Sequence, residues 1–514
     1  MLIAVTGTSG SVGKSVVPKL LERKKNHLRL LFRNTPKNRK IISRLQKQYP
    51  SQVSILFGDV TDVSCCRAFV KDADQILHLA AVIPPKADHD DALTWKTNYQ
   101  GTVNLVDAII EDGNRAALLF FSTVAAYGHR SYPHYWGRTG DPLMPSVLDS
   151  YGASKVRAER YILDSSLRKY VILRETGVLY DNLMMNNIHD GLMFQPPVNV
   201  FIEWVTAKDT AILVDRILAE GDEKPDFWNK VYNIGGGPSC RQTGFESYDD
   251  GFKLIGGCAK KIFEPRWHNQ RNFHCFWYAD SQILEDLFHF RTEGCSDFWK
   301  WFGQRHKLYR LGALLPAPLL KSLVIKPLLK NDNAPDYWVK NDITPKIMAA
   351  FGGKEKYEKI PDTWEKTDLF CEHPDYEEMK KHDPSKDLSH GYDETKPDPE
   401  LSLEDMKEAA AFRGGKVLST DMTMGDLHTK LQWQCHNGHV FASSPYTILK
   451  AGHWCPECCS PKDTWEFDEL AKHIPFYAQA WYDSHDRDED YVYSFDENGL
   501  PSVSQNPKKS SSAS

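Results

Sequence analysis

The sequence predicts an α/β protein, with a doubly wound parallel sheet and a small separate domain near the C-terminus. Over residues 1 to about 305, short β-branched runs alternate with helical patterns, which implies right-handed crossovers and helices on both faces of the sheet. A glycine-rich turn follows the first strand, and cysteines and histidines pair up between residues 435 and 458. The predicted strands are Leu2–Val5, Leu28–Phe32, Val53–Phe57, Gln75–Leu79, Leu118–Ser122 and Val171–Arg174.

The 514 residues exceed one ordinary domain, and their composition changes along the chain. We predict an α/β domain over 1–305, an apolar and basic connector over 306–345, an acidic solvated linker over 346–408, a compact module over 409–462, and an extension with a frayed tail over 463–514. Prolines and lysines in the connector argue against a membrane span. Two interpretations of residues 308–329 stay open, which are docking onto the first domain and peripheral contact with a membrane surface.

Charge and cysteine content exclude several classes of protein. The chain carries 63 Lys and Arg against 69 Asp and Glu, a formal net charge of -6, which argues against general nucleic-acid binding. Its 11 cysteines, an odd number in a long chain, do not resemble a disulfide framework. The N-terminus enters a strand directly, without a signal segment. These features predict a cytoplasmic protein.

The turn after the first strand predicts a dinucleotide-binding site. Gly7 and Gly10 permit a tight turn and let the backbone approach a pyrophosphate, and Gly13 allows the next helix to pack closely against the strand. The N-terminus of that helix supplies N–H donors and positive potential. The predicted cofactor turn therefore consists of Gly7, Thr8, Ser9, Gly10, Ser11, Val12 and Gly13.

The end of the second strand bears on the choice of cofactor. NAD-binding sites place an acid there to accept the ribose 2′-hydroxyl, but this sequence has Phe32 followed by Arg33. Because a guanidinium suits a 2′-phosphate, we predict NADP(H) in preference to NAD(H). The alternative interpretation is that Arg33 is an ordinary exposed loop residue.

Three further motifs resemble successive markers of the extended short-chain dehydrogenases/reductases, the NAD-dependent epimerase/dehydratase family. The resemblance covers residues 1 to about 300 and implies a Rossmann-type sheet with a small substrate lobe and, often, a homodimer built on helices that flank the active site. It implies that Asp59 and Val60 contact adenine, that Ala80 and Ala81 line the cofactor, and that Asn98 lies at the far end of the site. The motifs are Gly58-Asp59-Val60-Thr61-Asp62, His78-Leu79-Ala80-Ala81 and Asn98-Tyr99-Gln100-Gly101-Thr102.

A tyrosine and a lysine four residues apart are the candidate catalytic pair. This spacing puts Tyr151 and Lys155 on one face of a helix. A free phenol, with a pKa of about 10, is a poor base at neutral pH, and a neighbouring ammonium and a cationic nicotinamide would lower that value. Tyr151 would then exchange a proton with an alcohol or ketone, and Lys155 would also bind the nicotinamide ribose. The strand before Tyr127 resembles the family segment that supplies a third, hydroxyl group, which is Thr123 or, as the alternative, Ser122.

Departures from family patterns narrow the predicted reaction. Val124-Ala125 stands where nucleotide-sugar dehydratases carry Asp-Glu, and Ile202 stands where sugar-nucleotide enzymes place a diphosphate-binding arginine. Glu175 occupies a position where reductases of this class more often carry proline. A group of aromatic residues in the substrate lobe predicts a pocket for an apolar, steroid-like or phenolic compound, although each one could instead be a core residue. These are Trp267, Phe273, Phe276, Trp277, Tyr278, Phe298, Trp299, Trp301 and Phe302.

Our first hypothesis is therefore an NADP(H)-dependent oxidoreductase that interconverts a secondary alcohol and a ketone on an apolar substrate. One alternative is a nucleotide-sugar epimerase with tightly bound NAD, and the segment after Arg174 lacks the asparagine usual in such enzymes. The other alternative is a dinucleotide-sensing protein without catalytic activity. The intact Tyr-Lys pair argues against a sensor, which needs no proton relay.

Two short knuckles near the C-terminus predict a structural zinc site. Cys435, His439, Cys455 and Cys458 offer four protein ligands with paired short spacings, which leaves no open coordination position. His436, His453 and Cys459 are alternative ligands, and unbound thiols are the remaining possibility. The stretch resembles zinc-ribbon modules. Since lysines are few and the flanks acidic, we expect protein contact or structural support rather than nucleic-acid binding.

Overall fold

The computed structural model describes residues 1–183, 190–254, 257–309, 316–459 and 462–506. Seven of its strands form one parallel sheet in the order β11-β7-β5-β4-β1-β2-β3, and the others form small two- and three-stranded sheets. The strands are β1 Leu2–Thr6, β2 His27–Phe32, β3 Val53–Phe57, β4 Gln75–His78, β5 Ala117–Thr123, β6 Trp136–Gly137, β7 Tyr170–Glu175, β8 Val178–Leu179, β9 Phe201–Glu203, β10 Val205–Thr206, β11 Lys230–Ile234, β12 Arg241–Thr243, β13 Trp277–Tyr278, β14 Lys416–Val417, β15 Leu431–Gln434, β16 Val440–Ser443, β17 Thr464–Trp465, β18 Tyr491–Phe495 and β19 Pro501–Gln505.

Helices cover both faces of the parallel sheet, as the sequence predicts for a doubly wound fold. The first seven are α1 Gly13–Leu21, α2 Pro36–Gln48, α3 Val63–Val70, α4 Lys86–His89, α5 Asp91–Thr94, α6 Gly101–Glu111 and α7 Ser150–Asp164. Further helices are Ala207–Glu220, Gly244–Lys253, Ala259–Ile262, Gln282–Phe288, Cys295–Arg305, Ala317–Leu320, Lys326–Leu328, Pro335–Lys340, Thr344–Phe351, Lys354–Glu358, Tyr376–Met379, Leu403–Phe412, Phe467–His473 and Pro475–Trp481.

Alternation along the buried strands divides the core into two layers. In β1, Ile3 and Val5 pack into the layer that contains α1, whereas Ala4 packs into the layer that contains α6 and α7. Successive side chains of a strand point to opposite faces, so a strand covered on both sides is apolar throughout. The predicted α/β fold is confirmed, and the carboxyl ends of β1, β4, β5 and β7 meet at one edge.

Small antiparallel sheets form the C-terminal part, and the second of them lies within 463–514, where the sequence predicted an extension with a frayed tail. β14, β15 and β16 make a three-stranded sheet that packs on the buried Trp433 and Trp454, and β17, β18 and β19 make a second one. Both belong to the same apolar cluster as the α6 and α7 layer of the first domain. The C-terminal module is therefore continuous with the core of the α/β domain.

The charged stretch over 346–408 differs from the solvated linker that its composition predicts. Widely spaced apolar side chains anchor it to the rest of the molecule, because each is buried although its neighbours are polar. The anchors include Trp364, Leu369, Tyr376, Leu388 and Leu401, each at most 7% exposed. An average composition hides such anchors, since only one residue in several needs to be apolar.

The connector docks onto the first domain. Leu320, Ile325 and Leu329 are buried in a cluster with Phe194 and Trp267, while Leu319, Leu323 and Val324 remain exposed on the other side. Residues 310–315 of this segment lie outside the described residues. Among the helices of the described ranges, none is long and apolar enough to cross a bilayer.

Candidate active site

A cavity of about 560 Å³ opens at the carboxyl edge of the parallel sheet. Its wall includes Gly7 and Gly10 after β1, Thr123 at the end of β5, and Tyr151 and Lys155 of α7. In open parallel sheets the carboxyl ends of the strands form the usual ligand crevice. The structure thus brings the predicted glycine turn and the predicted catalytic pair to one cavity.

The glycine turn has a backbone that other residues could not adopt without strain. Gly7 has φ of +70°, and a Cβ built on it would lie 2.5 Å from the Leu79 carbonyl carbon. A Cβ on Gly13 would lie 2.4 Å from the Gly7 carbonyl oxygen, so α1 approaches the turn closely only because position 13 is glycine. This cradle fits a dinucleotide pyrophosphate. Thr8 is buried and donates a hydrogen bond to the Leu31 carbonyl at 3.1 Å, which ties the turn to β2.

The other predicted cofactor residues differ in their exposure and in whether they line the cavity. Arg33 is exposed after β2, and Ala81 lines the cavity beside the half-buried Ala80. Asp59 is half-buried and accepts a hydrogen bond from the Thr61 amide at 3.0 Å. Val60 is buried against Gly101, where an added Cβ would lie 2.6 Å from a Val60 methyl.

Asn98 is buried away from the cavity wall. Its side chain accepts a hydrogen bond from the Val82 amide at 2.7 Å and donates one to the Val82 carbonyl at 2.9 Å. It also donates to the Ser154 hydroxyl at 3.2 Å. Asn98 therefore ties the segment after β4 to α7 and supports the cavity wall, and its predicted contact with the cofactor stays a prediction.

Tyr151 is half-buried and lies beside the Thr123 hydroxyl in the cavity wall. Burial raises the pKa of Tyr151 to about 12, a hydrogen bond with Thr123 opposes this, and the carboxyls of Asp149 and Glu175 add to the rise. Asp149 caps α7 by accepting a hydrogen bond from the Gly152 amide at 3.0 Å. The protein groups alone therefore do not lower the pKa of the phenol, contrary to the sequence-based expectation.

Lys155 is buried and points to the end of β5. Its ammonium donates a hydrogen bond to the Phe121 carbonyl at 2.5 Å and lies 4.0 Å from the centroid of the Phe120 ring. Burial lowers the pKa of Lys155 to about 7, and the Glu159 carboxylate one turn along the helix opposes that effect. The contact of the ammonium in this structure is thus with a backbone carbonyl, and the predicted effect of Lys155 on the pKa of the phenol stays a prediction.

The two hydroxyl candidates of β5 point to opposite faces of the sheet. Thr123 hydrogen-bonds the candidate phenol, whereas Ser122, which also lines the cavity, donates its hydrogen bond to Glu159 of α7. Adjacent residues in a strand alternate in direction, so only one of them can be directed at the phenol. Thr123 is the better candidate for holding a reacting oxygen.

Glu175 is a cavity residue whose role the sequence analysis did not assign. It lies beside Thr123 in the register of β5 and β7, lines the cavity, and accepts a hydrogen bond from the Thr210 hydroxyl at 2.7 Å. Burial raises the pKa of its carboxyl to about 7, partly offset by that hydrogen bond. In the sequence, the sign of a special role for Glu175 was that it stands where related reductases more often carry proline.

The aromatic residues predicted for the pocket serve mainly as core. Of that group, only Phe273 and Trp299 line the cavity, and Phe276, Trp277 and Tyr278 are wholly buried in packing clusters. Instead, the apolar wall recruits side chains that are far apart in the sequence, because late segments fold back over the cavity. These are Trp204, Tyr248, Phe252, Trp338 and Phe495.

The four predicted metal ligands converge near the C-terminus. Their ligand atoms all lie within 4.8 Å of one another. The Cys435 and Cys458 sulfurs are 3.8 Å apart, and the His439 Nδ1 lies 3.3 Å from the Cys458 sulfur and 3.6 Å from the Cys455 sulfur. A tetrahedral zinc with Zn–S of about 2.3 Å and Zn–N of about 2.0 Å separates its ligands by roughly 3.5–3.8 Å. The donor set fits zinc.

The alternative ligands are engaged elsewhere. His453 lies 3.3 Å from a Glu159 carboxylate oxygen, and Cys459 is buried in the apolar cluster of the module. The ring of His436 stacks on His473, with the ring centroids 5.7 Å apart. The structure thus supports Cys435, His439, Cys455 and Cys458 as the ligands, rather than any of these three residues.

Residues 3–235 match the family described as the NAD dependent epimerase/dehydratase family. They form a domain of that family. This extended short-chain dehydrogenase/reductase domain contains the glycine turn, Thr123, Tyr151 and Lys155. The match ends before the connector, so the later segments that close the cavity and the C-terminal module lie outside it.

Named relatives include both steroid dehydrogenases and sugar dehydratases. The chain is 27% identical over 208 residues to the mouse protein "3 beta-hydroxysteroid dehydrogenase type 7", which covers 38% of this chain and 55% of the relative. It is 26% identical over 257 residues to "dTDP-glucose 4,6-dehydratase" from Streptomyces antibioticus, which covers 46% of this chain and 72% of the relative. The chain spans about half the length of the steroid dehydrogenase relatives it matches.

A similar solved structure is dTDP-glucose 4,6-dehydratase from Bacillus anthracis in complex with NAD. It is 19% identical, has a TM-score of 0.48, and covers 61% of this chain and 98% of that chain.

Proposed function

We propose that this protein is an NADP(H)-dependent oxidoreductase that interconverts a secondary alcohol and a ketone on an apolar substrate. One observation carries the proposal, which is that Thr123, Tyr151 and Lys155 line the same cavity as the glycine turn. The nicotinamide, when bound, would supply or accept the hydride. The protein groups would hold the reacting oxygen and move its proton.

The cavity assigns separate tasks to its polar groups. The Thr123 hydroxyl and the Tyr151 phenol, which hydrogen-bond each other, would both bond the substrate oxygen. A phenol whose pKa is raised to about 12 is protonated at neutral pH, so it is ready to donate its proton to a ketone as hydride arrives. For the reverse reaction the phenol must lose its proton, which the cationic form of the nicotinamide would favour by charge. This asymmetry favours ketone reduction at neutral pH.

An apolar substrate is supported by the cavity wall. Trp204, Phe252 and Phe495 are among the side chains that line it, and Ile202 lines it where a phosphate-binding arginine would be needed for a sugar nucleotide. The relatives named as 3 beta-hydroxysteroid dehydrogenases are consistent with a ring-shaped apolar substrate. These observations favour an alcohol dehydrogenase over the alternative of a nucleotide-sugar epimerase.

We further propose that the four-ligand cluster holds one structural zinc. The ligand atoms are protein groups only, and two of the four ligands are buried, so coordination would be closed to substrate.

The homodimer implied by the family resemblance requires a separate surface, because the C-terminal module contacts the outer side of α7 through Arg160 and Asp164.

A Tyr151→Phe variant tests the enzymatic proposal. It should bind NADPH with unchanged affinity, measured by nicotinamide fluorescence, and lose nearly all turnover in a screen of apolar ketones followed at the nicotinamide absorbance. Tyr161→Phe is the matched control, because Tyr161 lies on the same helix and donates its hydrogen bond to Asp107 outside the cavity. Full turnover by Tyr151→Phe would refute the proposal, and tightly bound NAD without net cofactor turnover would favour an epimerase.

A further inference from the structure

A buried ion-pair network lies directly behind the candidate catalytic residues. Arg174 is 0% exposed and donates to both carboxylate oxygens of Glu159, with its shortest contact at 2.7 Å. Glu159 lies one turn after Lys155 on α7 and also accepts a hydrogen bond from Ser122 of β5. The network therefore joins the helix that carries Tyr151 to the strand that carries Thr123.

Residues of the C-terminal module complete this network. The Arg174 guanidinium donates to the Ala451 carbonyl at 2.7 Å, and the His453 Nε2 lies 3.3 Å from a Glu159 oxygen. Arg160, the next residue on α7, donates to the Trp454 carbonyl at 2.6 Å. Three groups within one four-residue segment thus satisfy charged groups of the α/β domain. Without that segment, Arg174 would lose a partner in a site that water does not reach.

The C-terminal module and the α/β domain pack closely at this contact. Gly452 has φ of +74°, and a Cβ built on it would lie 2.1 Å from the Asp141 carbonyl oxygen of the first domain. The Leu449 carbonyl would lie 2.8 Å from a Cβ on Gly140. Because the segment approaches backbone to backbone, a small displacement would break its hydrogen bonds with α7.

The candidate metal ligands begin where this segment ends. Cys455 directly follows Trp454, whose carbonyl bonds Arg160, and Cys458 lies one turn further on. Cys435 and His439 come from the knuckle after β15. A metal bound to all four would join the two knuckles and set the position of the 451–455 segment.

We propose that metal bound at Cys435, His439, Cys455 and Cys458 holds the 451–455 segment against α7 and thereby positions Tyr151 and Lys155. His453 is then a positioning residue, which acts on the active site through Glu159. The turnover measurements below rest on the proposed function. Cofactor affinity and amide hydrogen exchange in α7 test the inference independently of it. The C-terminal module is, on this view, part of the dehydrogenase rather than an attached binding domain.

Metal removal from the full-length protein is the first test. Chelation should release one zinc per chain, speed amide hydrogen exchange in α7 by about tenfold or more, and weaken NADPH binding by a similar factor. Amides of β2 and β3, at the far edge of the sheet, should change much less. Restored zinc should reverse these changes. Unchanged exchange in α7 and unchanged NADPH affinity after complete zinc loss would overturn the proposal.

His453 variants separate positioning from general loss of structure. His453→Ala should retain its zinc and lower kcat by about tenfold with KM within about twofold, because one hydrogen bond to a buried carboxylate is lost. His453→Gln, which can still donate to Glu159, should recover most of the lost kcat. His373→Ala is the matched control, since His373 pairs with the exposed Asp368 and does not belong to the metal cluster. Equal kcat in wild type and His453→Ala would count against this positioning role.

The two proposals fail in different ways. If no ketone or alcohol is turned over, but zinc loss still loosens α7 and weakens NADPH binding, the proposed reaction is wrong and the metal coupling holds. If turnover depends on Tyr151 yet is insensitive to zinc, the reaction holds and the coupling is wrong. Zinc that stays bound at full stoichiometry in a Cys455→Ser protein would reject the ligand set and the coupling with it.

Discussion

Thr123 and Glu175 lie side by side in the register of the central sheet, at the carboxyl ends of β5 and β7. Both line the cavity, and the Tyr151 phenol hydrogen-bonds the first and is repelled in its ionised form by the second. A carboxyl group therefore stands within the group of residues proposed to move the proton. Its charge is expected to influence the reaction directly.

Glu175→Gln should alter the pH dependence of both catalysis and stability. Burial raises the pKa of Glu175 to about 7, so the folded protein holds this proton more tightly than the unfolded chain. The contribution of Glu175 to stability is fully present below its unfolded pKa, about 4.3, and is lost as the pH rises through about 7. Relative to wild type, the variant should thus gain roughly 1–3 kcal/mol between pH 5 and pH 8.

Urea unfolding at pH 5 and at pH 8 measures this gain in stability. The rate of alcohol oxidation by the variant at pH 8 should also rise, because the ionised phenol is no longer repelled by the Glu175 charge. Glu22→Gln is the control, since Glu22 is an exposed carboxylate paired with Lys19. A stability difference that does not change with pH would contradict the assigned shift.

Thr123→Val and Ser122→Ala should differ in their effect on turnover. Thr123→Val keeps the shape of the side chain and removes the hydroxyl near Tyr151, so turnover should fall about 10–100-fold. It also removes the acceptor of the buried Ala125 amide, so the free energy of unfolding should fall by about 1 kcal/mol. Ser122→Ala leaves Glu159 without one donor, so the free energy of unfolding should fall by about 1–2 kcal/mol and turnover should fall less. Steady-state kinetics and urea denaturation of both variants decide between them. The reverse pattern would transfer the catalytic role to Ser122.

Arg33→Ala should change the choice of cofactor. Its side chain is exposed at the end of β2, where it can reach a 2′-phosphate. We expect the dissociation constant for NADPH to rise about tenfold, because a charge-assisted contact is lost, while that for NADH stays within about twofold. Arg39→Ala is a suitable control, since Arg39 contacts Asn34 from the following helix. An equal change in the dissociation constants for NADPH and NADH would show that Arg33 does not bind the 2′-phosphate.

Cys455→Ser and Cys459→Ser should differ in metal content. The Cys455 sulfur lies in the four-ligand cluster, whereas the buried Cys459 is not one of its four residues. Elemental analysis should find about one zinc per chain in wild type and in Cys459→Ser, and much less in Cys455→Ser. Comparable zinc in the two variants would show that the sequence spacing misidentified the ligand.

Local patterns in the sequence were sufficient to predict the parts of the site that lie within a few residues of one another. Gly7 and Gly13 sit in one turn, Tyr151 and Lys155 in one helical turn, and Cys455 and Cys458 in one knuckle. Each arrangement is set by backbone geometry over short spacings, so residue type and spacing specify it. The parallel sheet was predictable for the same reason, because its strands alternate with amphipathic helices.

Long-range packing alone decided the rest. The sequence could not place Glu175 beside Thr123, because strand order and register join residues 52 positions apart. Nor could it bring Phe495 to the cavity wall, or His453 to Glu159, since those contacts depend on how distant segments fold back over the sheet. The sequence by itself determined the chemical groups and their local geometry. The tertiary structure determined which of those groups share a cavity, since burial and long-range contacts depend on the whole fold.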